Sequence, residues 1–353
     1  MSKKVFKFLK KMMIFAVLLV PFVAVLVIDY FRVPVLNKQT ERVSLVIPHG
    51  TSINTIVDSL FMKGLIDDKE LFILWLTTMD KDRAIKAGFY EIPKGLTYAQ
   101  LVTFLSQAIS KEIKVTLVEG WRTEEIAAEL AEKLQINEQK FIDLTRDSAF
   151  INSLSIAETS LEGYLLPDTY HFYWGVREEK IIEFLVHKCL SLFTDSVMTR
   201  LDSMKLTVHE ILTLSSIVEG EAIYDDERAI VASVYHNRLR KRIKLQADPT
   251  IQYILDGPPR RLLFKDLAID SPYNTYKYYG LPPGPISNPG KNSIIATIYP
   301  AKTDYIYFVA RGDGRHTFSR NAAEHQHAKE QFDQVRREVN RQRKSSNLKR
   351  ESQ

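Results

Sequence analysis

One phrase of apolar and polar positions recurs along the N-terminal half of the chain. Val43-Ser44-Leu45-Val46 precedes Gly50, with Ile56 and Leu60 six and ten residues after the glycine. Phe89-Tyr90-Glu91-Ile92 precedes Gly95, followed at the same offsets by Leu101 and Leu105. Val115-Thr116-Leu117-Val118 precedes Gly120, followed likewise by Ile126 and Leu130. Each phrase predicts a short β-strand, a glycine turn and a helix, capped by Ser52, Thr97 or Thr123. The two offsets keep both apolar residues on one helical face, because ten residues is close to three turns. Shared βα geometry and internal duplication explain the pattern equally. Lys69–Leu76 predicts a further amphipathic helix between the first two phrases.

Downstream, the periodicity predicts helices at Thr123–Leu134, Glu178–Phe193, Val208–Val218 and Asp226–Arg242, the last capped by Asp225. Pro249–Leu255 reads as a helix with Asp248 as N-cap and proline at its first position. Lys291–Ile298 follows similar start signals, and Asp304–Val309 alternates as a strand. A final helix starts near Asn321, where Asn321 and Glu324 have capping-box spacing. The fold class is α+β with small sheets.

The N-terminus has a different pattern. Lys3, Lys4, Lys7, Lys10 and Lys11 stand without an acid, and Met12–Ile28 then runs without a charge. That run is at the short end of what spans a bilayer. No small-x-small cleavage site follows Pro21–Leu26, so the segment reads as a retained anchor rather than a signal peptide. Lysines before the span hold the N-terminus in the cytoplasm and send the rest across, with Tyr30 and Phe31 at the outer interface. The expected organisation is lysines and anchor at 1–32, a small α+β module at 33–108 and a mixed α+β catalytic domain at 109–340. A basic disordered tail follows at 341–353, and polar Ser106–Glu112 is the joint between module and domain.

Charge narrows the partners. The net charge is +5, yet the lysine cluster and the tail from Val335 each contribute +5, leaving the folded part acidic. A nucleic-acid reader needs its basic stripe on the folded surface, so that class is excluded. The single cysteine, Cys189, lies in apolar Ile181–Phe193 and reads as a buried structural thiol. His171, His236, His316, His325 and His327 lack metal-ligand spacing, and no phosphate-binding or dinucleotide fingerprint occurs. No metal and no cofactor is expected.

The candidate chemistry centres on Glu219, in Ser215-Ser216-Ile217-Val218-Glu219-Gly220-Glu221-Ala222. Ile211, Leu214, Ser215, Val218 and Ala222 share a helical face beside it. The negative helix end and partial burial against apolar neighbours both disfavour a second charge, as a proton donor requires. The same local pattern also fits a surface glutamate near a helix end. Glu221 would point about 200° away on a continuing helix, too far round to flank one glycosidic bond with Glu219. The proline-stiffened loop 273–290 carries Tyr273, Asn274 and Tyr276, whose aromatic faces and polar edges suit a sugar ring. Gln246 and Asp248 would position substrate with them, although Asp248 fits equally as a helix cap.

Taken together, these motifs resemble the endolytic murein transglycosylases, the YceG-like family. The resemblance rests on Leu161-Glu162-Gly163-Tyr164-Leu165-Leu166-Pro167-Asp168-Thr169-Tyr170, on Ser216–Ala222 and on Val231-Ala232-Ser233-Val234-Tyr235-His236-Asn237-Arg238-Leu239. It continues through Leu245–Thr250, Ser271–Tyr276, Gly280–Ile286 and Asn288-Pro289-Gly290. It implies a single-pass inner-membrane protein with a LysM-like module and a catalytic domain outside the cytoplasm. It further implies that Glu219 is the essential acid. Gly220 departs from the pattern, since relatives often carry lysine there, which puts helix continuity in question. The implied reaction cuts the bond between N-acetylmuramic acid and N-acetylglucosamine in nascent glycan strands, leaving 1,6-anhydro-muramic ends. Partners would be peptidoglycan strands, the membrane and cell-wall synthases. A water-using muramidase and a non-catalytic peptidoglycan-binding scaffold are the competing readings.

Overall fold

The computed structural model describes residues 42–48, 50–81, 84–107, 112–334 and 337, together with 12–13, 15–17, 19–25 and 27. The described residues between 12 and 27 are helical. Among the described residues, no helix is long and apolar enough to cross a membrane. The lysine cluster, Ile28–Phe31, residues 108–111 of the joint and the tail from 338 lie outside the described residues.

The chain clusters into two units, one comprising residues up to 113 with 171–176, the other the remainder. The first contains β1 (Arg42–Ile47), α1 (Ile53–Met62), α2 (Lys69–Thr78), β2 (Gly88–Pro93) and α3 (Tyr98–Gln107). β1 and β2 pair antiparallel with Leu45 opposite Tyr90. The strand alternation turns Leu45, Ile47, Tyr90 and Ile92 to one buried face, where Leu60, Phe72 and Leu105 meet them. Ser52 caps α1 by accepting the Thr55 N–H at 3.2 Å. Thr97 accepts the Gln100 N–H at 3.3 Å while Gln100 Oε1 accepts the Thr97 N–H at 3.0 Å.

The chain then runs through β3 (Glu112–Thr116) into the second unit, with α4 (Thr123–Leu134), α5 (Glu138–Leu144), α6 (Ser148–Ser153) and β4 (Thr169–Tyr173), whose residues from His171 on cluster with the first unit. Then follow α7 (Glu178–Leu190), α8 (Asp195–Met204), α9 (Val208–Glu221), α10 (Asp225–Arg240), α11 (Asp248–Ile254) and α12 (Lys291–Ile298). The hairpin of β5 (Tyr307–Ala310) and β6 (His316–Ser319) comes next, with residues 322–334 helical. β3 pairs with β4.

The three repeated glycines all take left-handed backbone, with φ of 75° at Gly50, 87° at Gly95 and 81° at Gly120. A fourth copy escaped the sequence reading. β4 leads to Gly175 at φ 81°, and Ile181 and Leu185 stand six and ten residues later, both buried. In all four, the glycine reverses the chain so that a helix starting three residues on returns its apolar face to the core. The strand–helix–helix–strand–helix order thus occurs twice, with one extra short helix, α6, in the second copy.

Several local expectations need correction. Arg122, not Thr123, is the N-cap of α4, and Thr123 is buried as its first residue. Asp225 and Asp248 likewise open α10 and α11 from inside, behind Tyr224 and Ala247 as caps. Their carboxylates are engaged elsewhere, by Arg228 and the Tyr276 hydroxyl, and still complement the positive helix starts. β5 begins at Tyr307 rather than Asp304 because the carbonyls of Thr303 and Tyr305 accept from Asn237 and that of Ile306 accepts from Arg238. α9 continues through Gly220 to Glu221. A Cβ at Gly220 would lie 2.8 Å from the Pro249 ring, so the missing side chain lets α11 approach α9.

Helix α9 is the axis of the second unit. Every residue from Ile211 to Val218 is buried, and α10, α11 and α12 pack against it. A helix enclosed on all sides must satisfy its hydroxyls internally. Ser215 donates to Ile211 O at 2.7 Å, and Ser216 donates to Thr213 O at 2.8 Å while accepting the Ile286 N–H at 3.0 Å. Thr207 and Glu210 close a capping box at its start. Cys189 is buried beside Gly163, and burial pushes its thiol up to about 12.

Gly163 gives a direct test of this packing. It has φ 86°, and an added Cβ would overlap the Pro285 ring. Gly163→Ala should therefore destabilise the protein by about 3 kcal/mol or more, from strain and overpacking together. Urea unfolding that shows no loss would contradict this packing.

Candidate active site

Glu219 lies in the last turn of α9, with its side chain 7% exposed. Both carboxylate oxygens are occupied. Oε1 accepts from Arg228 Nη1 at 2.8 Å, and Oε2 accepts the N–H of Gly290 at 2.9 Å. Gly290 is the N-cap of α12, so Glu219 sits between the negative end of its own helix and the positive start of another. The sequence led us to expect apolar surroundings; the structure supplies a guanidinium instead.

Arg228 is itself only 7% exposed and is shared. Its Nε donates to Asp225 Oδ1 at 2.8 Å, and Nη1 also donates to Ser293 Oγ at 2.5 Å. Nη2 lies 3.8 Å from Glu119 Oε2. The Glu119 carboxyl rests directly on Gly290, where any Cβ would collide with it. Burial, and then the nearby charge of Glu219, push the Glu119 carboxyl upward.

The loop bearing Glu119 is held by buried Asn288. Gly120 N–H donates to Asn288 O at 2.9 Å, and Asn288 N–H donates to Trp121 O at 2.8 Å. The Asn288 side chain accepts from the N–H groups of Gly163 and Leu165 and donates to Glu162 Oε1 at 2.7 Å. One residue therefore ties two segments distant in sequence to its own. A Cβ at Gly120 would stand 3.5 Å from Glu219 Cγ, an ordinary contact, so it is the left-handed backbone at φ 81° that calls for glycine where the loop passes Glu219.

A cleft of about 800 Å³ opens beside this cluster, lined by Glu119, Gly120, Trp121, Arg122, Gly220, Glu221 and Asp248 among others, with Glu219 itself behind the lining. Pro258, Pro259 and Ser287 form more of its wall. A second cavity of about 240 Å³ shares Glu221 and Asp248 with it. Gln246 and Tyr276 line the second cavity, where the Tyr276 hydroxyl bonds Asp248. Tyr273 packs against Tyr253 with ring centroids 4.8 Å apart and planes tilted by 42°, and Arg122 lies over the Tyr253 ring at 4.7 Å.

Asn274 does not face any opening. It is fully buried, its amide donating to Leu267 O and Ile269 O and its oxygen accepting from the N–H groups of Tyr276 and Lys277. It holds the loop in shape and has no free edge for a sugar. Of the sequence candidates, Asp248 alone reaches the main cleft; Gln246 and Tyr276 stand one cavity away.

Glu221 points away from Glu219. It accepts from the Tyr235 hydroxyl at 2.9 Å, and burial pushes its carboxyl up to about 7. Glu119, Arg228 and Ser293 were missed by the sequence reading. Glu119 stands just before a glycine the repeat had marked, whereas Arg228 reads locally as a routine partner of Asp225.

The comparisons with known proteins now bear on this geometry. The model of the YceG-like family matches residues 45–331. The chain belongs to that family. A Bacillus subtilis (strain 168) protein named endolytic murein transglycosylase is 35% identical over 315 residues, covering 85% of this chain and 87% of that one. A Streptococcus pneumoniae protein of the same name is 28% identical, and the match spans 84% of this chain but only 60% of the streptococcal one. A crystal structure of a YceG-like protein from Listeria monocytogenes aligns with TM-score 0.56 at 34% identity, covering 81% of this chain and 98% of that one.

The buried acids give a pH test. Glu162 and Glu221 are both pushed by burial from the ordinary 4.5 to about 7. Between those values the folded protein holds protons that the unfolded chain has released. Their contribution is therefore most favourable below about 4.5 and is lost as pH rises through about 7. Glu221→Gln keeps an acceptor for Tyr235 without a charge, so its melting temperature should gain on the wild type as pH rises through this window. A difference between the two proteins that is constant with pH would contradict the assignment.

Proposed function

We propose that this chain is a membrane-anchored endolytic murein transglycosylase with Glu219 as its single acid and base. The observation that carries the reading is a carboxylate held by Arg228 and the Gly290 N–H, whose neighbours Gly120 and Gly220 line a cleft of about 800 Å³, in a chain whose family relatives bear that enzyme name.

Glu219 protonates the oxygen between N-acetylmuramic acid and N-acetylglucosamine as the glycosidic bond breaks. The C6 hydroxyl of the muramic sugar attacks the oxocarbenium-like centre, and Glu219 takes that hydroxyl's proton. The product is a 1,6-anhydro-muramic end, and no water is consumed. Arg228 and the Gly290 N–H hold Glu219 in place and stabilise its anion between the two transfers. Asp248 lies where it can position the strand, with Gln246 and Tyr276 behind it. Tyr273 contributes through its packing against Tyr253.

A water-using muramidase would need a second carboxylate. Glu119 shares Arg228 with Glu219 and Asp225 and also lines the cleft, which keeps this alternative specific. Mass spectrometry of muropeptides released by the full-length protein separates the readings. Anhydro ends are expected, with at least a 100-fold loss, roughly, for Glu219→Gln. Reducing ends would support the muramidase, and equal strand binding without cleavage by both proteins would support a scaffold.

We further propose that Met12–Ile28 anchors the chain with its catalytic unit outside the cytoplasm, and that the first unit is a LysM-like module. Its strand–helix–helix–strand order supports the latter, and the uncharged run after five lysines supports the former. In this setting the enzyme would work beside cell-wall synthases on nascent strands. Cell fractionation should leave the full-length protein in the membrane pellet after an alkaline wash; recovery in the supernatant would remove the anchor.

A further inference from the structure

The loop at 256–265 leaves the wall of the cleft and ends in an apolar tip. Pro258 and Pro259 line the cleft. A few residues on, Leu263 is 50% exposed and Phe264 94%, more than any other large apolar side chain among the described residues. Single exposed apolar residues are common on protein surfaces, but this pair is held out by specific bonds. The Arg260 guanidinium donates to both oxygens of Asp266, at 2.7 and 2.9 Å. Buried Asp266 also accepts the Leu263 N–H at 2.7 Å. The Asp266 N–H donates to Leu263 O at 2.9 Å, which closes a turn with Phe264 and Lys265 at its apex. On the other side of the loop, the side-chain amide of Gln252 in α11 bonds both backbone groups of Arg260.

We propose that this tip is a lipid-docking element: Leu263 and Phe264 enter the headgroup layer of an anionic bilayer while Arg261 and Lys265 contact its phosphates. The inference rests on the reading of the chain as membrane-anchored, and adds a second point of attachment on the catalytic unit itself. Two apolar side chains and two cations bind a lipid surface weakly by themselves. An anchor on the same chain keeps the tip near the bilayer at high effective concentration, so a weak contact suffices to orient the unit. The Pro258–Pro259 edge of the cleft then faces the membrane.

Charge selects this partner. Arg261 and Lys265 are both exposed, and neither makes an ion pair among the described residues; Arg260 is the cation that Asp266 takes. Between Asp256 and Asp266 the loop carries no acid. The folded part of the chain is acidic overall, so an anionic surface repels most of it and accepts it tip-first. An apolar apex flanked by free cations matches the layering of such a surface, with acyl chains beneath and phosphates above.

The test places a fluorophore at the apex of the full-length protein. Cys189 is fully buried, so Phe264→Cys supplies the one accessible thiol for a nitrobenzoxadiazole label, and an exposed side chain is replaced without touching the core. The labelled protein is reconstituted into vesicles of phosphatidylglycerol and phosphatidylcholine whose acyl chains carry bromine. Emission should shift to shorter wavelength and be quenched by the brominated chains. Both effects should weaken in vesicles of phosphatidylcholine alone, and when Arg261→Gln and Lys265→Gln are added. A label at Ile223→Cys, a position 70% exposed in the same unit, should not be quenched. Protein that floats with the vesicles while its Phe264→Cys label is unquenched would overturn the proposal and leave the anchor standing. Protein that does not float would remove the anchor and the tip together. Equal quenching at both labels, no dependence on anionic lipid, or a response only to added glycan strands would also overturn it.

Discussion

A guanidinium withdrawn from water must be matched by anions and acceptors, and the second unit is arranged around that requirement at Arg228. Its neighbours come from separate elements: Glu219 from α9, Asp225 from its own helix α10, Ser293 from α12 and Glu119 from the loop after β3. Removing the cation would leave the buried Glu219 carboxylate with the Gly290 N–H alone, a costly loss in a protein interior. The charge cluster therefore acts as a structural constraint on helix packing while it also sets the chemistry of the cleft.

Glycines and one asparagine let the backbone come close enough for that cluster to form. Gly120 and Gly290 bring main chain against Glu219 and Glu119, and Gly220 lets Pro249 close on α9. Asn288 then ties the Gly120 loop and the Gly163 turn to its own segment through a fully buried amide. Glu219 is thereby held between a cation and a main-chain N–H, each fixed by its own helix.

Much of this could be read from sequence where local rules govern. The spans of α4 and α12 follow from apolar period and start signals alone, and the repeated glycines form the turns their spacing implied, each with left-handed backbone. The fourth repeat at Gly175 obeys the same rule but lay just beyond a family motif ending at Tyr170, and was overlooked. What sequence could not supply were contacts made between distant segments. Arg228 looked like one half of an ordinary helix pair, and Asn274 looked like a sugar contact because burial is invisible in composition. Asp248 had the spacing of a cap, yet its tertiary partner Tyr276 and the cleft decide its position.

The central claim is that one carboxyl serves as both acid and base and that the sugar's own hydroxyl, not water, completes the cut. Digestion of peptidoglycan by the full-length protein in heavy-oxygen water reads this directly. The account predicts anhydro-muramic ends that carry no heavy oxygen at any stage of digestion. Reducing ends that incorporate one heavy oxygen per cut would contradict it.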